Sequence, residues 1–198
     1  NERIFKMLDP LISQQDYINK FQIHENEKID INFDLIRELP INLLFDNTRY
    51  ATLLTGIHPD LTTEFLNVKF HKSITDYVVI QRTFRYRNQF IDYQFINNFK
   101  KILFIGVKDE FDDFKKNVSS CEFYDCKDFM EMAQIIKSSK FTIGNSSLAF
   151  PIAEGLKTPR LLESCPYFPA AQPHGKNGYN FYFQDQFEKL FSKLYGKN

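Results

Sequence analysis

From residue 74 onward, short β-branched or aromatic runs alternate with amphipathic stretches along the chain. Each run has the length of a buried strand, and each amphipathic stretch repeats apolar residues at helical spacing. The pattern predicts five strands, over residues 76–81, 101–106, 122–125, 141–144 and 160–163. It predicts helices over residues 91–99, 109–117, 128–138, 145–157 and 184–195, with a long loop at 165–183. Alternation at this pitch favours an α/β fold, a doubly wound parallel sheet with right-handed crossovers.

The first 73 residues follow a different pattern. They predict a helix that ends near residues 8–13, a strand around 17–23, a helix over 32–39 that Pro40 breaks, and a further helix over 43–54. This stretch is too short for an α/β domain of its own. We therefore expect two parts: residues 1–73, the remnant or end of an amino-terminal lobe with a connector, and residues 74–198, one complete doubly wound domain.

Composition narrows the possible partners. The chain has 25 Lys and Arg residues against 25 Asp and Glu residues, and a net charge of zero argues against a nucleic-acid partner. No apolar run approaches the roughly 20 residues that span a bilayer, so we expect no transmembrane segment. Three cysteines without a C-x-x-C spacing (Cys121, Cys126 and Cys165) indicate a reduced, cytoplasmic protein without a disulfide framework.

Candidate binding residues follow the fourth predicted strand, at Gly144, Asn145, Ser146 and Ser147. Ligands of open parallel sheets lie beyond the carboxyl ends of the strands. A strand end that leads into a helix start offers free backbone N–H groups and the positive end of the helix dipole, which suit an anion. The alternative is a helix N-cap that binds nothing, since Ser and Asn are favoured there in any case.

A second candidate loop follows the first strand, where Arg82, Thr83, Arg85 and Arg87 lie close together. One guanidinium group can donate hydrogen bonds to two phosphate oxygens at once, and positive charge nearby stabilises a bound diphosphate. The alternative is a solvated surface turn held by salt bridges. Because both loops belong to the same edge of the sheet, we expect them to form one anion site.

Weaker candidates lie in three other places. Glu154 could bind the hydroxyl pair of a ribose or sugar, Gly106 and Lys108 could line a nucleoside pocket, and His174 with Gly175 could close over a ligand. Each also has a structural explanation, as an exposed helical residue, a helix cap or a polar surface loop. The chain has no metal-spaced His/Cys cluster and no P-loop, G-x-G-x-x-G or G-x-S-x-G motif, so we expect neither a metal nor a cofactor.

Residues 74–196 resemble the carboxyl-terminal lobe of GT-B-fold glycosyltransferases, most of all the ADP-heptose:lipopolysaccharide heptosyltransferase-like family. The resemblance lies in the first predicted strand with the basic loop and helix that follow it, in Phe-Ile-Gly at 104–106, and in the stretch from Met132 to Pro159. Residues 8–18 and 29–37 resemble the late part of the family's amino-terminal lobe. The chain has Asn-Ser-Ser at 145–147 where heptosyltransferases have Asp-Thr-Gly, and Phe150 where they have a His. Gly-Asn-Ser-Ser is also similar to UDP-N-acetylglucosamine 2-epimerases.

The resemblance implies a Rossmann-like lobe that binds a nucleoside-diphosphate sugar as substrate. The diphosphate would lie between Arg82, Thr83 and Arg85 on one side and residues 145–147 on the other. The implied reaction is metal-independent transfer of the sugar to a hydroxyl of a glycan or lipid-linked glycan acceptor. A sugar-nucleotide epimerase and a noncatalytic binding module stay open as alternatives. We nominate no catalytic base, because in GT-B enzymes it usually comes from the amino-terminal lobe, and the oligomeric state is open.

Overall fold

The computed structural model describes residues 1–39 and 45–196. In this part of the chain, parallel strands form one six-stranded sheet. The strands are β1 (Val78–Gln81), β2 (Ile102–Ile105), β3 (Glu122–Tyr124), β4 (Phe141–Gly144), β5 (Arg160–Glu163) and β6 (Gly178–Phe181). Their order across the sheet is β3-β2-β1-β4-β5-β6. This is the doubly wound order of Rossmann-like folds, with the topological switch point between β1 and β4.

Helices cover both faces of the sheet. These helices are α1 (Glu2–Ile12), α3 (Lys108–Lys115), α4 (Phe129–Ser138), α5 (Ala149–Gly155) and α6 (Gln184–Tyr195). A further helix, α2 (Asn47–Thr55), has no buried residue, and two 3-10 turns span Phe33–Glu38 and Gln94–Asn98. Helix α4 begins where the sequence predicts it, after Asp128. The Asp128 carboxylate caps the helix, since it accepts a hydrogen bond from the Glu131 backbone N–H at 2.8 Å. No helix among the described residues is long and apolar enough to cross a membrane.

The strands contribute alternate residues to two apolar cores. Val78 and Ile80 of β1 face a core rich in phenylalanine, beneath α3 and α6. In that core the Phe181 and Phe187 rings stack with their centroids 4.2 Å apart. Val79 faces the other core, beneath α4 and α5. Because successive side chains of a strand point to opposite faces, one apolar strand supplies both layers.

The first segment of the chain packs against the second core. Leu11 of α1 and Leu66 are buried there with residues of α4 and α5. The Gly155 carbonyl at the end of α5 accepts hydrogen bonds from the backbone N–H groups of Phe65 (2.8 Å) and Leu66 (3.0 Å). Residues of the 1–73 segment are therefore part of the hydrophobic interior of the sheet domain.

The sheet has one strand more than the pattern predicts. Residues 178–181 lie in the predicted 165–183 loop but pair in parallel with β5 as the edge strand β6. The sequence Gly-Tyr-Asn-Phe has no apolar run to signal a strand. Gly178 is required here, because a Cβ atom would come within 2.8 Å of the buried Arg160 guanidinium.

Three predicted elements differ from the structure. Residues 91–99 contain only the 3-10 turn Gln94–Asn98, since the apolar spacing there reflects aromatic packing, with Phe95 edge-on to Phe99. Residues 17–23 form no strand and are largely exposed. The last helix of the first segment begins at Asn47, capped by Asp46. The predicted break at Pro40 and the predicted helix start at Leu43 lie outside the described residues.

We predict that Phe187→Ala lowers the free energy of unfolding by about 3–5 kcal/mol, because it removes a fully buried ring and leaves a cavity. Phe183→Ala is the control, since that ring is 70% exposed and its loss should cost about 0.5 kcal/mol or less. Urea denaturation monitored by circular dichroism measures both variants. Equal effects of the two substitutions would contradict the packing of α6 described here.

Candidate functional site

The two predicted binding loops meet at the switch point of the sheet. Gln81 at the end of β1 lies in register with Gly144 at the end of β4. The fully buried Asn145 side chain then joins the loops. Its Oδ1 accepts hydrogen bonds from the Thr83 backbone N–H (3.2 Å) and hydroxyl (3.3 Å), and its Nδ2 donates to the carbonyls of Thr83 (3.0 Å) and Arg85 (2.7 Å). The predicted convergence of the loops is present, and Asn145 produces it.

The start of α5 is capped from within the chain. Gln81 is buried, and its Oε1 accepts hydrogen bonds from the Ser147 hydroxyl (2.7 Å) and the Ala149 backbone N–H (2.8 Å). The helix has seven residues and begins at Ala149, not at residues 145–147 as predicted. Gln81 thus engages two of the donors at this helix start, and a role of residues 144–147 in binding an anion stays a prediction. Ser146 lines a neighbouring cavity.

Arg82 faces inward and pairs with a buried carboxylate. Its guanidinium donates to both Glu163 oxygens, at 2.7 and 3.0 Å. Glu163 is fully buried and also accepts from the Asn88 backbone N–H (2.6 Å) and the Tyr93 hydroxyl (2.7 Å). Burial opposes the charge of Arg82, but Glu163 outweighs it and raises the pKa of the guanidinium. Arg82 therefore holds the loop to β5.

The other two arginines of this loop, Arg85 and Arg87, differ in the contacts of their side chains. Arg87 forms a salt bridge with Asp113 of α3 at 2.6 Å and donates to the Thr83 carbonyl at 3.0 Å. Arg85 is exposed, and its side chain makes no hydrogen bond or salt bridge with any described residue. The expectation that three guanidinium groups face one anion is therefore corrected, since only Arg85 is available to an external one.

Aromatic contacts connect Arg85 to a cavity. Its guanidinium carbon lies 5.5 Å from the centroid of the Tyr86 ring. Tyr86 has a left-handed backbone (φ 58°), which is rare for an aromatic residue, and its ring stacks on Phe168 with the centroids 4.6 Å apart. Phe168 in turn lines the cavity. Arg85 is therefore connected to the cavity wall through Tyr86 and Phe168, although neither Arg85 nor Tyr86 lines the cavity itself.

The cavity has a volume of about 290 Å³ and mostly apolar walls. It is bounded by the 145–147 bend, by α5, by the loop after β5, and by residues of the first segment. The apolar lining residues are Leu61, Phe65, Phe150, Pro151, Phe168, Ala170 and Ala171. The polar lining residues are Asn47, Thr48, Ser146, Ser147, Glu154, Lys157, Gln172 and His174. Cavities of this kind, beyond the carboxyl ends of parallel strands, are the usual ligand sites of the fold.

Glu154 organises the charged side of this cavity. Its Oε1 accepts hydrogen bonds from Lys157 (2.6 Å), the buried Arg160 (3.0 Å) and the His174 backbone N–H (2.8 Å), and its Oε2 pairs with Arg160. Burial raises the pKa of the Glu154 carboxyl, but hydrogen bonds from Arg160 and Lys157 outweigh burial and lower it below its usual range. The expected role in binding sugar hydroxyls is therefore corrected to an internal one, because both oxygens are already engaged.

His174 lines the cavity and Gly175 does not, and closure of these two residues over a ligand stays a prediction. The His174 side chain is buried, and its Nε2 lies 2.8 Å from Asp46 Oδ2 in the first segment. Its carbonyl accepts hydrogen bonds from Arg160 and Lys157. Gly175 has a φ of 78°, and a Cβ atom there would lie 3.0 Å from the Thr62 carbonyl oxygen. This close approach explains the glycine without a ligand.

The predicted nucleoside pocket at Gly106 and Lys108 lies away from this cavity, after β2. Neither residue lines the cavity. Lys108 is largely exposed and pairs with Asp112 one turn along α3. A role for these two residues in binding a nucleoside stays a prediction.

Sequence reasoning missed the contributions of Asn47 and Phe65 from the first segment and of Phe168 from the long loop. Asn47 follows the N-cap Asp46, and its backbone N–H donates to the Ala170 carbonyl at 2.8 Å. The only local signal was Asp46 as a helix cap. These residues reach the site through contacts with residues far away in sequence, such as Asn47 with Ala170, Phe65 with Gly155 and Phe168 with Tyr86, which periodicity does not report.

No protein-family model matches this chain, and no curated protein matches it. Among solved structures, the chain is similar to the crystal structure of the glycosyl transferase family 9 from Veillonella parvula DSM 2008, with a TM-score of 0.43 and 13% sequence identity. The similarity covers 76% of this chain and 54% of the other, so this chain matches about half the length of that structure.

We predict that Glu163→Gln lowers the free energy of unfolding by about 3–5 kcal/mol, because it leaves the Arg82 charge without its buried partner. The control is Asp185→Asn, which breaks the exposed pair with Lys189 and should cost less than about 1 kcal/mol. Urea titrations of the three proteins test this. A loss in Glu163→Gln as small as in the control would contradict the buried pair.

Proposed function

We propose that the chain is a glycosyltransferase-like domain that binds a nucleoside-diphosphate sugar and transfers the sugar to an acceptor hydroxyl. The observation that supports this most is the guanidinium of Arg85, which pairs with no described residue and is connected through Tyr86 and Phe168 to a cavity at the carboxyl edge of the sheet. A nucleotide sugar has the same two parts, a charged diphosphate and uncharged rings.

Arg85 would bind the diphosphate. The Arg85 carbonyl accepts a hydrogen bond from Asn145 Nδ2 at 2.7 Å, so the backbone that carries the side chain is fixed. Charge-assisted hydrogen bonds to phosphate are among the strong ones. During sugar transfer, the bond between the sugar and the diphosphate breaks and negative charge grows on the leaving diphosphate. A positioned guanidinium stabilises that charge.

A noncatalytic nucleotide-binding module is the second candidate function. The observation that favours it is the internal pairing of Arg82 with Glu163 and of Arg87 with Asp113, which leaves one guanidinium for the diphosphate. Release of nucleoside diphosphate from ADP-, UDP- and GDP-sugars, with and without glycan acceptors, separates the two functions. Release that depends on the acceptor supports transfer, and tight binding without release supports the module.

We predict that ADP, UDP or GDP raises the melting temperature of the chain by mass action and that Arg85→Ala weakens its binding by about 1.5–3 kcal/mol. Calorimetric titration should therefore show a dissociation constant roughly 10- to 150-fold higher. Arg3→Ala, at an exposed arginine of α1, is the matched control and should bind like the original chain.

Two results would contradict this proposal. The first is the absence of stabilisation by all three nucleotides. The second is binding that Arg85→Ala and Arg3→Ala leave equally unchanged, which would remove Arg85 from the site.

A further inference from the structure

We infer that Tyr86 is a positioning residue, whose ring holds the Arg85 guanidinium in place for the diphosphate. The inference rests on the proposed function, in which Arg85 binds the diphosphate, and it adds a second residue that acts through Arg85. The backbone of Tyr86, the support of its ring and the contact of the ring with Arg85 carry it in turn.

The backbone of Tyr86 has a conformation that aromatic residues rarely adopt. Its φ is 58°, in the left-handed region, where the Cβ atom crowds a neighbouring carbonyl oxygen. Contacts on both sides hold this conformation. Before Tyr86, the Arg85 carbonyl accepts a hydrogen bond from the buried Asn145 at 2.7 Å. After it, Arg87 forms a salt bridge with Asp113 at 2.6 Å. Backbone strain persists only where the surrounding structure fixes it, and it occurs most often at functional sites.

The ring of Tyr86 is supported by Phe168. The two rings are stacked, with their centroids 4.6 Å apart and 21° between their planes. Phe168 lies in the loop after β5, where its backbone N–H donates to the Cys165 carbonyl at 3.2 Å. The Tyr86 hydroxyl makes no hydrogen bond with any described residue. The ring itself, and not its polar end, therefore determines where the side chain lies.

The Arg85 guanidinium lies over this ring. Its Cζ atom is 5.5 Å from the ring centroid, within the roughly 6 Å over which a cation is attracted to an aromatic face. A guanidinium donates hydrogen bonds in its plane and stacks through its face. The contact with Tyr86 therefore leaves the N–H groups of Arg85 available to phosphate oxygens.

The support of Tyr86 matters because no other described residue holds the Arg85 side chain by a hydrogen bond or salt bridge. A long side chain that becomes ordered only on binding loses conformational entropy at that moment, and one that is already held loses less. Tyr86 thus strengthens the binding of a diphosphate without a contact of its own. Because Phe168 lines the cavity, the same stack also fixes the guanidinium relative to the cavity wall.

The test is a double-mutant cycle, measured by calorimetry with whichever of ADP, UDP and GDP stabilises the chain most. Tyr86→Asn removes the ring and supplies a residue that tolerates the left-handed backbone. We expect it to raise the dissociation constant roughly three- to tenfold, because Arg85 then has no support. We expect Tyr86→Asn to cause no further loss in the Arg85→Ala background, since Tyr86 acts only through Arg85.

Three further variants separate the ring from the fold. Tyr86→Phe keeps the ring and should bind like the original chain, because the lost hydroxyl has no partner among the described residues. Phe70→Asn is the matched control, at an aromatic residue of the first segment that is 68% exposed, and should also bind like the original chain. Tyr86→Gly, which accepts the left-handed backbone without strain, takes the place of Tyr86→Asn if that variant does not fold.

The outcomes separate the two proposals. Binding that Arg85→Ala weakens and Tyr86→Asn leaves unchanged would overturn the role of Tyr86 and leave the proposed function intact. A loss in Tyr86→Asn that adds in full to the loss in Arg85→Ala would also overturn it, because the ring would then act independently of Arg85. No binding of any nucleoside diphosphate would overturn the proposed function and the role of Tyr86 with it.

Discussion

The site depends on the buried side chain of Asn145, which joins the ends of two central strands. Its amide satisfies four backbone and hydroxyl partners in residues 83–85 and therefore gives the loop after β1 one conformation. In that conformation Arg82 and Arg87 turn into the protein, while Arg85 remains exposed. A fully satisfied buried polar network of this kind specifies a single arrangement, because each lost hydrogen bond leaves a buried group without a partner.

Buried carboxylates form the second constraint on the site. Glu163 ends β5 and holds Arg82, and Arg160 begins β5 and is held by Glu154. Strand β5 thus carries a buried charge at each end, Glu163 paired with the arginine loop and Arg160 paired with Glu154 of the cavity wall. Buried pairs stabilise a fold weakly, since desolvation opposes their attraction, but breaking one is costly. Here the two pairs fix the positions of the arginine loop and the cavity wall, because both are connected to β5.

Much of the fold could be predicted because apolar periodicity reports local structure. It located β1 to β5 and the helices α3, α4 and α6, and with them the doubly wound sheet. It missed β6, where polar residues form an edge strand. The placement of the two loops at one edge of the sheet could be predicted from topology alone. The pairing of Arg82 with Glu163 and the presence of Asn47 in the cavity wall could not be predicted, because both depend on residues far away in sequence.

A crystal structure of the chain with the nucleoside diphosphate that stabilises it most tests the central claim directly. The account predicts the nucleotide at the cavity beside α5, with the diphosphate against Arg85. A nucleotide bound at Gly106 and Lys108, or bound elsewhere with Arg85 free in solvent, would contradict it.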